Sequence, residues 1–128
     1  LATAAQLGLS PTGHASRSLS GPPNPSPSNL FIEDGAATLE ELIKDIENGF
    51  YVTELMGSSV SLTTGDYSRG AAGFWIENGE ITWPAAEATI AGNLKDMFMS
   101  LTPANDSDKR QSLSAPSLRV DAMMVAGS

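Results

Sequence analysis

The chain has no cysteine, which excludes disulfides, thiolate nucleophiles and cysteine-bound zinc. It has one histidine, His14. A single imidazole cannot build a typical zinc site, and no His-Glu-x-x-His helix is present. His14 lies in a Ser/Pro/Gly-rich stretch where nothing orients it beside a nucleophile, so a polar loop residue is expected rather than a triad member. Basic residues are scarce: seven Lys and Arg face fifteen Asp and Glu, for a net charge of −8. All fifteen acidic residues fall from Glu33 onward with only six basic ones, so that part is more acidic than the whole. Such a surface repels DNA and anionic lipid, and the basic residues form no stripe; no direct nucleic-acid contact is expected. No apolar run reaches the length of a membrane span, so no membrane contact is expected either. The opening "LATAAQLGL" lacks the basic start of a signal peptide. A chain that begins on Leu rather than Met is expected to continue from a missing upstream region.

What is present is one domain's worth of sequence, 128 residues and 13.3 kDa. Fifteen of the twenty residues from Ser10 to Asn29 are Ser, Pro, Gly or Asn. They hold too little apolar surface to offset the entropy of ordering, so residues 1–29 are expected to be loop or linker. Residues 30–128 are expected to form the folded domain.

In that part "NLFIED" predicts a short strand. Thr38 with Glu41 makes a capping box, and Leu39, Leu42, Ile43 and Ile46 share a helical face. The pattern predicts a helix of about eleven residues, stopped by Gly49. Period-two patterning then predicts strands in "FYVTEL" and "SVSLTT", on either side of Gly57. "AAGFWIE" and "EITW" flank Asn78-Gly79, the preferred pair for a type I′ turn. "AAEATI" predicts another strand, with Pro84 marking a bulge or edge. "AGNLKDMFMSL" predicts a second short helix, and "SLRVDAMMVAG" a closing strand. The class is therefore α+β, predominantly antiparallel sheet with two helices against six or seven strands.

Each candidate site meets a chemical objection. Gly65 and Gly70 have the spacing of a phosphate loop, but Ala71-Ala72 stand where Lys and Ser or Thr are required. Asp66 would also repel a phosphate. Asp106 and Asp108 suggest a calcium loop, yet Arg110, Gln111 and Ser117 occupy positions that need an oxygen ligand, a glycine and a glutamate; a solvated turn is expected. Glu40 and Glu41 suit the first turn of a helix. Met97, Met99, Met123 and Met124 are expected to fill core. Arg69, among small and apolar neighbours, is expected to pair with Asp66 or Glu54.

Taken together, "FYVTELMG", "TGDYSRGAAGFWIENGEI" and "PAAEATIAGNLKDMF" resemble the C-terminal part of the PmbA, or TldE, branch of the TldD/PmbA family. The resemblance runs from "AQLGLSPTGHASRS" to "VDAMMVAG"; "GSSVSL" and Met123-Met124 depart from it. It implies a bacterial, cytoplasmic protein of the kind once labelled a modulator of DNA gyrase. It further implies one half of a heteromeric zinc metallopeptidase acting on unfolded peptides, with zinc in a TldD-type partner subunit. The partner's His-Glu motif has no counterpart here, so no catalytic, cofactor-binding or metal residue carries over. The alternative is an independent protein-binding module with no peptidase role. On either reading the strand Tyr67–Glu77 is a candidate exposed edge that would pair with a partner, a second copy or unfolded peptide, since main-chain bonding ignores side-chain identity. Asp66, Tyr67, Arg69, Phe74 and Trp75 are its candidate contacts; the alternative is that Phe74 and Trp75 fill the domain's own core and Arg69 serves a structural ion pair.

Overall fold

A computed structural model describes residues 2–127, apart from the side chains of Ala2, Thr3 and Ser58. Its elements begin with α1 (Ala2–Gln6), β1 (Ala15–Ser16), β2 (Asn24–Pro25), β3 (Leu30–Phe31) and α2 (Leu39–Lys44). Three long strands follow: β4 (Asn48–Val60), β5 (Asp66–Glu77) and β6 (Glu80–Asn93). The chain closes with α3 (Leu94–Met99), β7 (Leu101–Pro103), β8 (Leu113–Ser114), β9 (Leu118–Val120) and β10 (Met124–Gly127). The α+β class is as expected; of the three short helices, α1 has no signature in the sequence reading. The Ser/Pro-rich stretch is extended apart from a two-residue ladder of β1 with β2.

The capping box forms in both directions. The Thr38 N–H donates to Glu41 Oε2 at 2.9 Å, and the Glu41 N–H donates to Thr38 Oγ1 at 3.2 Å. The helix is nevertheless six residues long rather than eleven. The tip of the β5–β6 hairpin takes over the carbonyls that would have continued it. Gly79 N–H donates to Ile46 O and Asn78 N–H to Glu47 O, both at 2.8 Å. Gly49 is thus the second residue of β4, not a helix stop.

The hairpin itself is as read. Glu77 pairs with Glu80 across a two-residue loop, with φ of 51° at Asn78 and 81° at Gly79, as a type I′ turn requires. The strands are longer than their sequence segments suggest. "FYVTEL" and the start of "SVSLTT" form one strand, β4, because register shifts after Val52 and Met56 absorb the interruption at Gly57. Ser61–Gly65 then turn rather than extend, closed by Gly65 N–H to Ser61 O at 2.8 Å. "EITW" and "AAEATI" likewise form one strand, β6, and the register shifts beside Pro84 as expected. The closing segment divides instead into β9 and β10, at a bend where Ala122 has φ of 60°.

The main sheet has the order β10-β6-β5-β4, all neighbours antiparallel. This corrects the expectation for Tyr67–Glu77. β5 is an interior strand whose backbone is committed to β4 on one side and β6 on the other. The small residues Gly70–Gly73 admit a close second backbone, and that backbone is β4 of the same chain. The sheet's edges are β4 and β10.

Residues paired across an antiparallel ladder share a face. One face carries Ala71, Ala88 and Ile90, all buried, and lies under α2, which buries Leu42 and Ile43. The remaining buried apolar residues are Ile76, Ala85 and Ala104. Half of this core is alanine, and no large side chain is completely enclosed among the described residues. Met99 and Met124 are largely exposed rather than core filler, while Met97 and Met123 are half-buried. The opposite face presents Gly70, Thr89, Ala91 and Ala126 between Met56 and Met124, and is open.

A clasped trough on the covered face

Between α2, the first half of β4 and the β9–β10 segment runs a trough of about 750 Å³. Its walls and floor are mainly apolar, with Leu42, Ile43, Phe50, Ile76, Ile90 and Val125 among them. The volume falls in the ordinary range for small-molecule and peptide-side-chain pockets. Polar groups gather at one end, around Arg119.

Arg119 sits on β9 with its side chain 24% exposed. Its Nη1 donates to Asp45 Oδ1 at 2.6 Å and to the Leu42 carbonyl at 2.9 Å. Its Nε donates to Asp121 Oδ1 at 2.9 Å. Leu42 is in the last turn of α2, where carbonyls lack helical partners and a cation is favourable. The two carboxylates push the guanidinium pKa up further, with the bond donated to Asp121 the larger influence and that donated to Asp45 next. Arg119 therefore clasps the end of α2 to a strand more than seventy residues away, and closes one end of the trough. The sequence reading passed over it. The signal lay in a lone arginine between Leu118 and Val120, facing a helix whose last carbonyls needed donors.

Arg119→Ala is expected to destabilise the fold by about 2 kcal/mol, chiefly by stranding the Leu42 carbonyl and losing the packed stem. The two ion pairs add little, because Asp45 and Asp121 are 72% and 55% exposed. Arg119→Lys should recover less than half of the loss, since an ammonium cannot span the three acceptors. Urea denaturation of both variants measures this.

The residues singled out from sequence do not converge. Asp66 is exposed and accepts from Thr64 Oγ1 at 2.6 Å. Tyr67 lines the trough. Arg69 pairs with neither Asp66 nor Glu54; its Nε donates to the Gly57 carbonyl at 2.8 Å, across the β4–β5 register shift. That bulge offers a nearby acceptor, so no ion pair is needed. Trp75 packs edge-on against Phe50, centroids 5.0 Å apart, and the adjacent Phe74 is 37% exposed, on the opposite face of the strand.

Among the described residues no three His, Cys, Asp or Glu side chains are grouped to hold a metal. His14 is exposed, with its Nδ1 3.0 Å from Thr12 Oγ1. Asp106 accepts from the hydroxyl and the N–H of Ser117, both at 2.7 Å, which hold its carboxyl below the usual range. Asp108 is forked by Arg110, with the same effect on its carboxyl. Both aspartates therefore serve their own loop. No described helix is long and apolar enough to cross a membrane.

The model of the PmbA/TldA metallopeptidase C-terminal domain matches residues 1–127. The metalloprotease PmbA of Escherichia coli O157:H7 is 45% identical over 126 residues, which are 98% of this chain and 26% of that protein. The crystal structure of TldE from Thermococcus kodakarensis superposes with a TM-score of 0.81 at 27% identity, covering 97% of this chain and 29% of that one. A Thermotoga maritima structure, described as a candidate modulator of a DNA gyrase, gives 0.78 at 34% identity, over 98% and 29%. The chain spans about a quarter of the length of the relatives it matches.

Proposed function

The chain belongs to the PmbA/TldD metallopeptidase family as its C-terminal domain, and on that premise we propose that it is a non-catalytic part of a heteromeric, TldD-type zinc peptidase. It supplies assembly surface and one wall of the tunnel that receives unfolded peptide. The observation that carries this reading is the apolar surface left exposed on the folded part. Met56, Phe74, Trp83, Phe98, Met99 and Met124 all lie there and are exposed. Large apolar side chains left in water in that number point to surface that another protein covers.

Zinc does not fit the residues present. The lone histidine is in an exposed loop and, among the described residues, no carboxylate cluster is built to receive a metal, so no step of hydrolysis is assigned to this chain. In the proposed complex the metal belongs to the TldD-type subunit, in the cytoplasm. The alternative is an independent protein-binding module of the gyrase-modulator kind without a peptidase role; with a net charge of −8 these 128 residues offer DNA no basic surface.

The test is co-purification of the full-length protein with a TldD-type partner. One zinc per heteromer is expected, carried by the TldD-type partner, and cleavage of an unfolded peptide only when both are present. Stoichiometric zinc and activity in the protein on its own would overturn the reading.

A further inference from the structure

The trough carries a charge pattern that selects among peptides. Its rim is formed by Asp45, Glu47 and Asp121, and Arg119 is the single basic residue lining it among those described. That guanidinium is already engaged by Asp45, Asp121 and the Leu42 carbonyl. Three carboxylates against one committed cation leave the rim negative. Asp45 and Asp121 stay largely exposed beside an apolar floor. A charge at the mouth of a low-dielectric cleft acts more strongly on an incoming ion than one on an open surface.

We propose that the trough docks a polypeptide segment presenting a large apolar side chain next to lysine or arginine. The apolar side chain enters between Ile43, Phe50 and Val125, and the flanking cation meets Glu47 and the outer oxygens of Asp45 and Asp121. Acidic segments are turned away by the same rim. This deepens the peptide-handling reading above and rests on it. A volume of about 750 Å³ accommodates a few side chains, not a folded domain.

The experiment uses the full-length protein and three labelled hexapeptides, read by fluorescence anisotropy. One has a Phe-Leu centre flanked by lysines, one has the same centre flanked by glutamates, and one has a Ser-Ser centre flanked by lysines. The first is expected to bind about tenfold or more tighter than the other two, and to weaken as salt rises. Glu47→Lys, on an exposed side chain, should weaken it about tenfold. Val125→Glu should abolish it, with melting curves confirming that both variants fold. Equal binding of the three peptides, indifference to Glu47→Lys, or no binding at all would overturn the proposal; the last would mean that another part of the polypeptide fills the trough. If the heteromer cleaves unfolded peptides regardless of flanking charge, the groove assignment fails while the peptidase reading stands. If no partner or activity is found, the peptidase reading fails and the anisotropy still decides the groove.

Discussion

Gly73→Val is expected to be the most damaging single change in the sheet, costing about 4 kcal/mol or more and leaving little folded protein at 37 °C. Gly73 faces Val52 on one side and Ala85 on the other, in the interior strand β5. A β-carbon there would overlap the Tyr51 carbonyl oxygen and crowd the backbone of Val52. Both obstacles are main chain, so no rotamer change relieves them; the β4–β5 ladder must separate locally. Gly73→Ala meets the same obstacles and should lose nearly as much. Ala72→Val, one residue away and half-buried, is the control and should lose under about 1 kcal/mol. Equal stability of the Gly73 and Ala72 variants by denaturant titration would show that β4 and β5 are less closely apposed than described.

Replacing Asn78-Gly79 with Ala-Val is expected to cost about 3 kcal/mol. Two effects combine. Both positions have positive φ, which Ala and Val adopt only with strain. A β-carbon on Gly79 would also overlap the Lys44 carbonyl at the end of α2. The turn therefore joins β5 to β6 and terminates the helix as well, through the bonds from Gly79 and Asn78 to Ile46 and Glu47. Restoring only Asn78 should recover a small part of the loss; restoring only Gly79 should recover most of it. A melting midpoint unchanged by the double substitution would refute both roles.

The parts of the fold legible in the sequence were those that local chemistry dictates. The Thr38–Glu41 capping box and the Asn78-Gly79 turn are decided within a few residues, and both formed as read. What could not be read was decided by partners distant in sequence. Periodicity carried α2 on to Gly49, but the hairpin tip, some thirty residues on, ended it at Lys44. Gly57 looked like a strand break because an isolated glycine marks irregularity without saying whether the ladder resumes; β4 resumes after a bulge. The interior place of β5 was hidden for the same reason, since small residues invite a neighbouring backbone without naming whose. At the candidate site Tyr67, offered as an edge contact, lies on an interior strand and lines the trough, whereas Arg119 and its carboxylates were missed because their contacts span the chain.

The difference in sequence separation also orders events in time. β4, β5 and β6 form a meander joined by short turns, so each ladder closes a small loop and loses little chain entropy on forming. The bonds from Arg119 to Leu42 and Asp45 span 77 and 74 residues and close a far larger loop. The hairpin turn is therefore expected to form early, and the arginine clasp late, where it slows the opening of the finished domain. One end of the trough is expected to be among the last parts sealed and the first to loosen.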